Sequence, residues 1–244
     1  MDLFEDNRNS AKPLAERMRC TGIEEFIGQK HLVGEGCLLR RAIKADRVGS
    51  CIFYGPPGTG KTTLANIIAN TTHSEYVYLN AVSSGVADAK KVIEDAKKRL
   101  EYSGKKTYLL LDECHRWNKA QSDSVLGAIE KGEIIFIGST TENPFVSMTR
   151  AIVSRCRIFE FKPLTEDDIK IGLKRALSDE YNGLGSYSVD LDEKALNYFC
   201  SAANGDMRAA LNSLEIAVLS TPSDKTGTVR ITAEIAAQSV QRPI

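Results

Sequence analysis

Five short apolar runs, at 51–54, 76–79, 107–111, 133–138 and 157–161, punctuate the chain up to residue 161. Their brevity and their aromatic and β-branched content predict buried strands rather than helices. Helical patterns separate most of them. Between 88 and 101, Ala89, Ile93, Ala96 and Leu100 recur on one face, while Lys90, Lys91, Lys97 and Lys98 fall on the other. A second helix is expected from 62 to 70. Strand–helix alternation predicts an α/β domain with a five-stranded, mostly parallel sheet covered by helices on both faces. After Phe161 the pattern changes. Pro163 breaks the chain, and Thr165-Glu-Asp-Asp168 is a capping box opening a helix with Ile169, Leu173, Ala176 and Leu177 on one side. A Gly/Ser/Tyr loop is expected over 181–188. Helical patterns follow near 192–203, 206–220 and 232–241, with a short extended piece at 227–231. The reading is an α/β domain over 1–162 and a small helical lid over 163–244.

Composition narrows this picture only a little. The chain has 244 residues, enough for two modest domains, and a formal net charge of zero. No global basic field announces a nucleic acid, so any such partner must use a local patch. The six cysteines are scattered without a Cys-x-x-Cys pair, and several sit in apolar runs. They read as reduced core thiols of a cytoplasmic protein, with neither zinc nor disulfides. The acidic start, Met1-Asp-Leu-Phe-Glu-Asp-Asn, lacks the charge of a signal peptide. No apolar stretch is long enough for a membrane span.

Chemistry enters at residues 55–62, Gly-Pro-Pro-Gly-Thr-Gly-Lys-Thr, between an expected strand and an expected helix. Gly55, Gly58 and Gly60 let the backbone curl so that its N–H groups face inward, and Pro56, Pro57 and Thr59 complete the loop. The helix beginning at Thr62 and Thr63 adds its positive end. Lys61 is long enough to reach β- and γ-phosphates, and the Thr62 hydroxyl is placed to ligate Mg²⁺. The run Leu109-Leu-Leu-Asp112-Glu113 ends a strand in two carboxylates, at the edge where ligands bind in such sheets. Asp112 suits the metal and Glu113 suits an attacking water.

Three weaker features follow. Ile137-Gly-Ser-Thr140-Thr141-Glu142-Asn143 ends another strand. Its hydroxyls and amide either touch the γ-phosphate or form an ordinary Ser/Thr turn. Ser154-Arg155-Cys156 holds an arginine suited to spread phosphoryl charge, or a plain surface arginine. Gly205-Asp-Met-Arg208 opens a helix with Arg208, Asn212 and Glu215 on its polar face.

In this order the elements resemble an AAA+ ATPase. Gly55–Thr62 matches Walker A and Leu109–Glu113 Walker B. Thr141, with Thr140 and Asn143 as neighbours, falls at sensor 1. Arg155 falls at the trans-acting arginine finger and Arg208 at sensor 2. Ser-Arg-Cys is the finger motif of the clamp-loader branch. Pro13-Leu-Ala-Glu-Arg-Met-Arg19, Phe26-Ile-Gly-Gln29, Asp112-Glu-Cys-His-Arg-Trp-Asn-Lys-Ala-Gln121, Thr140-Thr-Glu-Asn-Pro144 and Gly205-Asp-Met-Arg-Ala-Ala-Leu-Asn-Ser-Leu-Glu215 are similar to the RarA/MgsA family. These are replication-associated recombination proteins, related to the Werner-helicase-interacting protein.

The resemblance implies a DNA-dependent ATPase at stalled or gapped forks, using ATP and Mg²⁺. It implies a homo-oligomer in which Arg155 of one subunit completes the next subunit's site. It also implies binding to single-stranded or gapped DNA and to single-strand-binding protein, with the segment before Gly28-Gln29 wrapping the adenine. Cys20 stands where the family usually has Pro, and Trp117 where it often has Phe. The chain stops at Gln241-Arg-Pro-Ile244, where the family continues into a C-terminal oligomerisation domain, so the reading is of an ATPase core. A clamp-loader or branch-migration subunit and a nucleotide-dependent scaffold with little turnover are the alternatives. Arg116, Lys119 and the lysines of 88–101 are candidate phosphate contacts that the residues alone do not decide.

Overall fold

The structure, a computed structural model, describes residues 12–72 and 74–240. They fall into two compact units: Cys20–Lys162 is one, and the other joins Pro163 onward to the segment before Cys20.

The first unit is built on a sheet of β1 (Cys51–Tyr54), β2 (Glu75–Asn80), β3 (Thr107–Asp112), β4 (Ile135–Thr140) and β5 (Arg157–Glu160). The order is β2-β3-β4-β1-β5, and every pairing is parallel. The inner strands are buried on both faces, which is why they read as unbroken apolar runs. Alternation divides their side chains. Cys51, Phe53, Tyr108, Leu110 and Ile137 face one layer, with Leu39, Ile43, Leu64 and Ile68. Ile52, Leu109, Leu111 and Phe136 face the other, with Ala89, Ala96, Val125 and Ala128. Each fully buried Leu or Ile contributes roughly 1.5–3 kcal/mol. The edge strands β2 and β5 carry the charged Glu75, Arg157 and Glu160, as exposed edges do.

The helices follow their sequence signals. Lys61–Thr71 and Val86–Ser103 occupy the expected stretches, and the four lysines of the latter are exposed. β4 begins two residues later than its apolar run suggests. Gly132, at φ +69°, and Glu133 close the preceding helix Lys119–Glu130. That shift brings Thr140 into the strand, 1% exposed.

In the second unit, side chains of Thr165, Asp192, Asp206 and Thr232 cap Glu166–Ser178, Glu193–Ala202, Met207–Ser220 and Ala233–Ser239. Their core gathers Leu173, Phe199, Leu214 and Ile231 with Leu14 and Met18. Two features were not anticipated. The sequence reading drew one cut at 162, whereas Leu14–Arg17 packs with this unit. Arg17 donates to Glu215 at 3.0 Å and to the Asn182 carbonyl at 2.8 Å, and the Leu14 N–H reaches Glu215 at 2.9 Å. A two-stranded parallel sheet is also present, of β6 (Ser188–Leu191) and β7 (Thr228–Ile231). β7 is the anticipated extended piece. β6 overlaps the expected 181–188 loop only at Ser188 and otherwise falls in a stretch given no element, because its partner is 40 positions away and leaves no local trace. No helix among the described residues is long and apolar enough to cross a membrane.

Candidate nucleotide site

Because all five strands are parallel, β1, β3 and β4 end on one edge, and the loop after β1 begins there. Gly55 has φ +145°, and a Cβ on it would lie 2.2 Å from the Phe161 carbonyl oxygen. Its N–H donates to the Thr140 carbonyl at 3.2 Å, tying the loop's first residue to the end of β4. Gly60 has φ +97°, and a Cβ there would meet the Phe26 ring at 2.7 Å. No residue but glycine fits either place. Gly55→Ala is expected to lose about 3 kcal/mol or more of unfolding free energy, by strain and backbone clash together. Denaturant midpoints check this; a wild-type midpoint would show that the loop yields.

Lys61 opens the helix, so its side chain lies beside the loop. Its ammonium donates to the Gly55 and Pro56 carbonyls at 2.8 and 2.7 Å. Thr59 donates to the Pro56 carbonyl at 2.9 Å. Thr62 and Thr63 are half-buried in the first helical turn. Among the described residues the Thr62 hydroxyl makes no hydrogen bond. Gln29, itself buried, holds the other side of the loop. Its amide exchanges two bonds with the Lys162 backbone, at 2.7 and 3.0 Å, and reaches the Thr59 carbonyl at 3.5 Å.

The acidic pair ends β3. Asp112 accepts from the Tyr78 hydroxyl and from the Glu113 N–H, each at 3.2 Å. Glu113 is in the left-handed region at φ +53°, an arrangement that costs a non-glycine residue about 1–2 kcal/mol. That reversal starts the 3-10 turn Cys114–Arg116 and carries His115 back toward β4. His115 Nδ1 is 2.8 Å from the Thr140 hydroxyl. The Thr141 side chain, one residue on, is exposed. Neighbouring positions thus differ completely: one hydroxyl is engaged inside, the other is open to solvent.

Arg155 stands on the opposite edge. It precedes β5, whose first residue pairs with Cys51 at the start of β1. Four residues of strand separate that level from Gly55, roughly 13 Å at 3.3 Å per residue. Its guanidinium is bound by Glu130, with Nε at 2.7 Å, and by the Ala151 carbonyl at 2.7 Å. Arg208 is exposed on the second residue of Met207–Ser220, in the other unit, beside a cleft of about 260 Å³ that Asn212 also lines.

Trp117 is buried, and its indole N–H donates to the Ser84 carbonyl at 3.2 Å, a bond phenylalanine would lack. All six cysteines are free. Burial raises the Cys51 and Cys114 thiols well above their ordinary range and pushes Cys156 up to about 12, so these three stay protonated at neutral pH. Among the described residues no cluster of His, Cys, Asp and Glu is arranged to hold a metal. The hard oxygen donors of Thr62 and Asp112 nonetheless suit Mg²⁺, which keeps most of its coordination for waters and phosphates.

Sequence reading missed Gln29 and His115 as individual members of this edge. Both were legible only as letters of longer family motifs, since their partners lie far along the chain.

A glycine-dependent loop after β1, a lysine at a helix start and two carboxylates on the same sheet edge have the arrangement of a P-loop nucleotide site. The profile of the ATPase family associated with various cellular activities (AAA) matches residues 51–164, and that of the AAA C-terminal domain matches 185–244. The chain belongs to the AAA ATPases, in the family of replication-associated recombination protein A and WRNIP1. It is 47% identical over 231 residues to the Bacillus subtilis replication-associated recombination protein A, covering 95% of this chain and 54% of that protein. It is 39% identical over 237 residues to ATPase WRNIP1 of Dictyostelium discoideum, covering 97% of this chain and 27% of that protein. The chain therefore spans about half, or less, of the curated relatives it matches. Among solved structures it is similar to the Thermotoga maritima RuvB Holliday junction branch migration motor. That match has a TM-score of 0.72 and 25% identity, covering 91% of this chain and 72% of RuvB.

Proposed function

We propose that this chain is the ATP-hydrolysing core of a DNA-dependent ATPase in replication-associated recombination and repair. The observation that carries the reading is the opposition of two edges: loop, Asp112 and Glu113 on one, Arg155 on the other. A single chain then holds half of a site at each edge, which suits a homo-oligomer with ATP between neighbours.

The geometry supports the following roles. The N–H groups of residues 58–62 receive the phosphates, since the Gly55 N–H is held by Thr140 and the two prolines have none, and Lys61 turns from the Gly55 and Pro56 carbonyls to the β- and γ-oxygens. Thr62 and Asp112 would hold Mg²⁺, which would supply positive charge beside the phosphates. Glu113 accepts a hydrogen bond from water and aims it at the γ-phosphorus. The water O–P bond forms as the bond to the β,γ-bridging oxygen breaks, releasing ADP and phosphate. Arg155 of the neighbouring subunit meets the developing charge. Thr141, whose hydroxyl is free of the His115 contact, serves as the sensor, and Arg208 takes the sensor 2 role that the resemblance gives it. Single-stranded or gapped DNA, single-strand-binding protein and the cytoplasm are the partners and place this reading implies.

ATP turnover per subunit, followed over protein concentration with and without gapped DNA, tests the proposal. Turnover that rises with both supports it. Flat, near-zero turnover despite tight ATP binding favours the scaffold reading instead.

A further inference from the structure

Besides the residues with assigned roles, one buried polar side chain lies between them. The His115 side chain is 5% exposed. Nδ1 lies 2.8 Å from Thr140 Oγ1 and 3.6 Å from Glu113 Oε2, and Nε2 lies 3.5 Å from Glu142 Oε1. The ring thus stands between two carboxylates, in ion-pair reach of both and hydrogen-bonded to neither. Its one short bond goes to Thr140, whose hydroxyl oxygen also accepts the Glu142 N–H at 3.0 Å and lies 3.4 Å from the Glu142 carbonyl oxygen. The tautomer with Nδ1–H satisfies the group: the ring donates to the hydroxyl oxygen, and the hydroxyl donates to that carbonyl. The Thr140 carbonyl in turn accepts from the Gly55 N–H at 3.2 Å. A path therefore runs from the first residue of the phosphate loop through the end of β4 to the imidazole by hydrogen bonds, and from the imidazole to the Glu113 carboxylate by a contact in ion-pair reach.

We propose that His115 is a positioning residue: it sets the direction of the Glu113 carboxylate against the end of β4 and the 140–142 turn. The left-handed backbone at Glu113 frees its side chain from the strand's alternation, so backbone geometry alone does not aim it. The imidazole supplies the missing constraint, and does so from the strand that also anchors Gly55. Movement of the 140–142 turn is thereby passed to the group that orients water. This inference rests on the hydrolytic reading above.

The test compares His115→Ala, His115→Asn and Thr140→Val in the full chain. Asparagine places an amide where Nδ1 stood and keeps the reach to Thr140. His115→Ala is expected to lower kcat roughly 10- to 100-fold, as misplacement of a reacting group does, with ATP affinity within about threefold of wild type. His115→Asn is expected to recover most of that loss, and Thr140→Val to reproduce part of it. A kcat within about twofold of wild type in His115→Ala overturns the proposal, since a positioning group must cost more than that. So does a parallel fall of kcat, affinity and Tm that asparagine does not rescue, which is the mark of a packing role. If the wild-type chain shows no turnover, the hydrolytic reading fails by itself. The imidazole ¹⁵N resonances of His115 then decide: they shift in Glu113→Gln and in Thr140→Val if the path exists, and stay unchanged in both if it does not.

Discussion

An Arg155→Ala variant is expected to lose about a thousand-fold or more in ATP turnover, the range seen when an arginine finger is removed. A thousand-fold is roughly 4 kcal/mol of transition-state stabilisation. The contact Arg155 makes within its own chain is small beside that. Its ion pair with Glu130 is between side chains 34% and 52% exposed, and exposed pairs are worth about 0–1 kcal/mol. Leaving Glu130 for a neighbouring subunit's nucleotide therefore costs little, and deleting the guanidinium barely changes stability. Phosphate release at saturating ATP measures the loss, and Tm checks the fold. Position on the opposite sheet edge makes a sharper demand. Arg155→Ala keeps an intact Glu113, and Glu113→Gln keeps an intact finger. Mixed in equal amounts, two inactive variants should regain activity, with about a quarter of head-to-tail interfaces complete at random pairing. A mixture as inactive as its components would sink action in trans.

The second large effect is expected at Glu113 itself. Glu113→Gln preserves volume, one acceptor oxygen and the cost of the left-handed backbone at φ +53°. Only the charge that polarises water is lost. Turnover should fall roughly 100-fold or more, the usual contribution of a positioned base. Nucleotide affinity should hold, because the loop N–H groups and Lys61 are untouched. Single-turnover hydrolysis beside titration with a fluorescent ATP analogue separates the two. Affinity lost together with turnover would show that Glu113 serves binding rather than the water.

The inner sheet and the phosphate loop were legible for local reasons. β1, β3 and β4 are buried on both faces, so each is a short apolar run whatever surrounds it. The loop's glycines are demanded by its own backbone, and the lysine and threonine follow at fixed steps. The capping box at Thr165 binds within four residues of itself, so sequence records it directly. The lid's helices were legible for the same reason.

Other features depended on pairs far apart in the chain. Thr140 and Thr141 are indistinguishable as letters. Closure of the preceding helix by Gly132 moves β4 two residues along, buries the first hydroxyl against His115 and leaves the second exposed. Arg17 and Glu215 are 198 positions apart, and only folding shows that Leu14 and Met18 belong with the second unit's core. β6 is four residues long and exposed on alternate positions, so without β7 it resembles any polar loop.

By itself, then, the sequence determined a parallel α/β unit carrying a P-loop motif, followed by a mostly helical unit, because strand burial, loop conformation and helix caps are local demands written at fixed spacing. The tertiary structure alone decided which distant side chains meet. Arg155 is bound by Glu130, and His115 stands between Glu113 and β4. The neighbour across a strand is a property of the assembled sheet, and no window of sequence contains it.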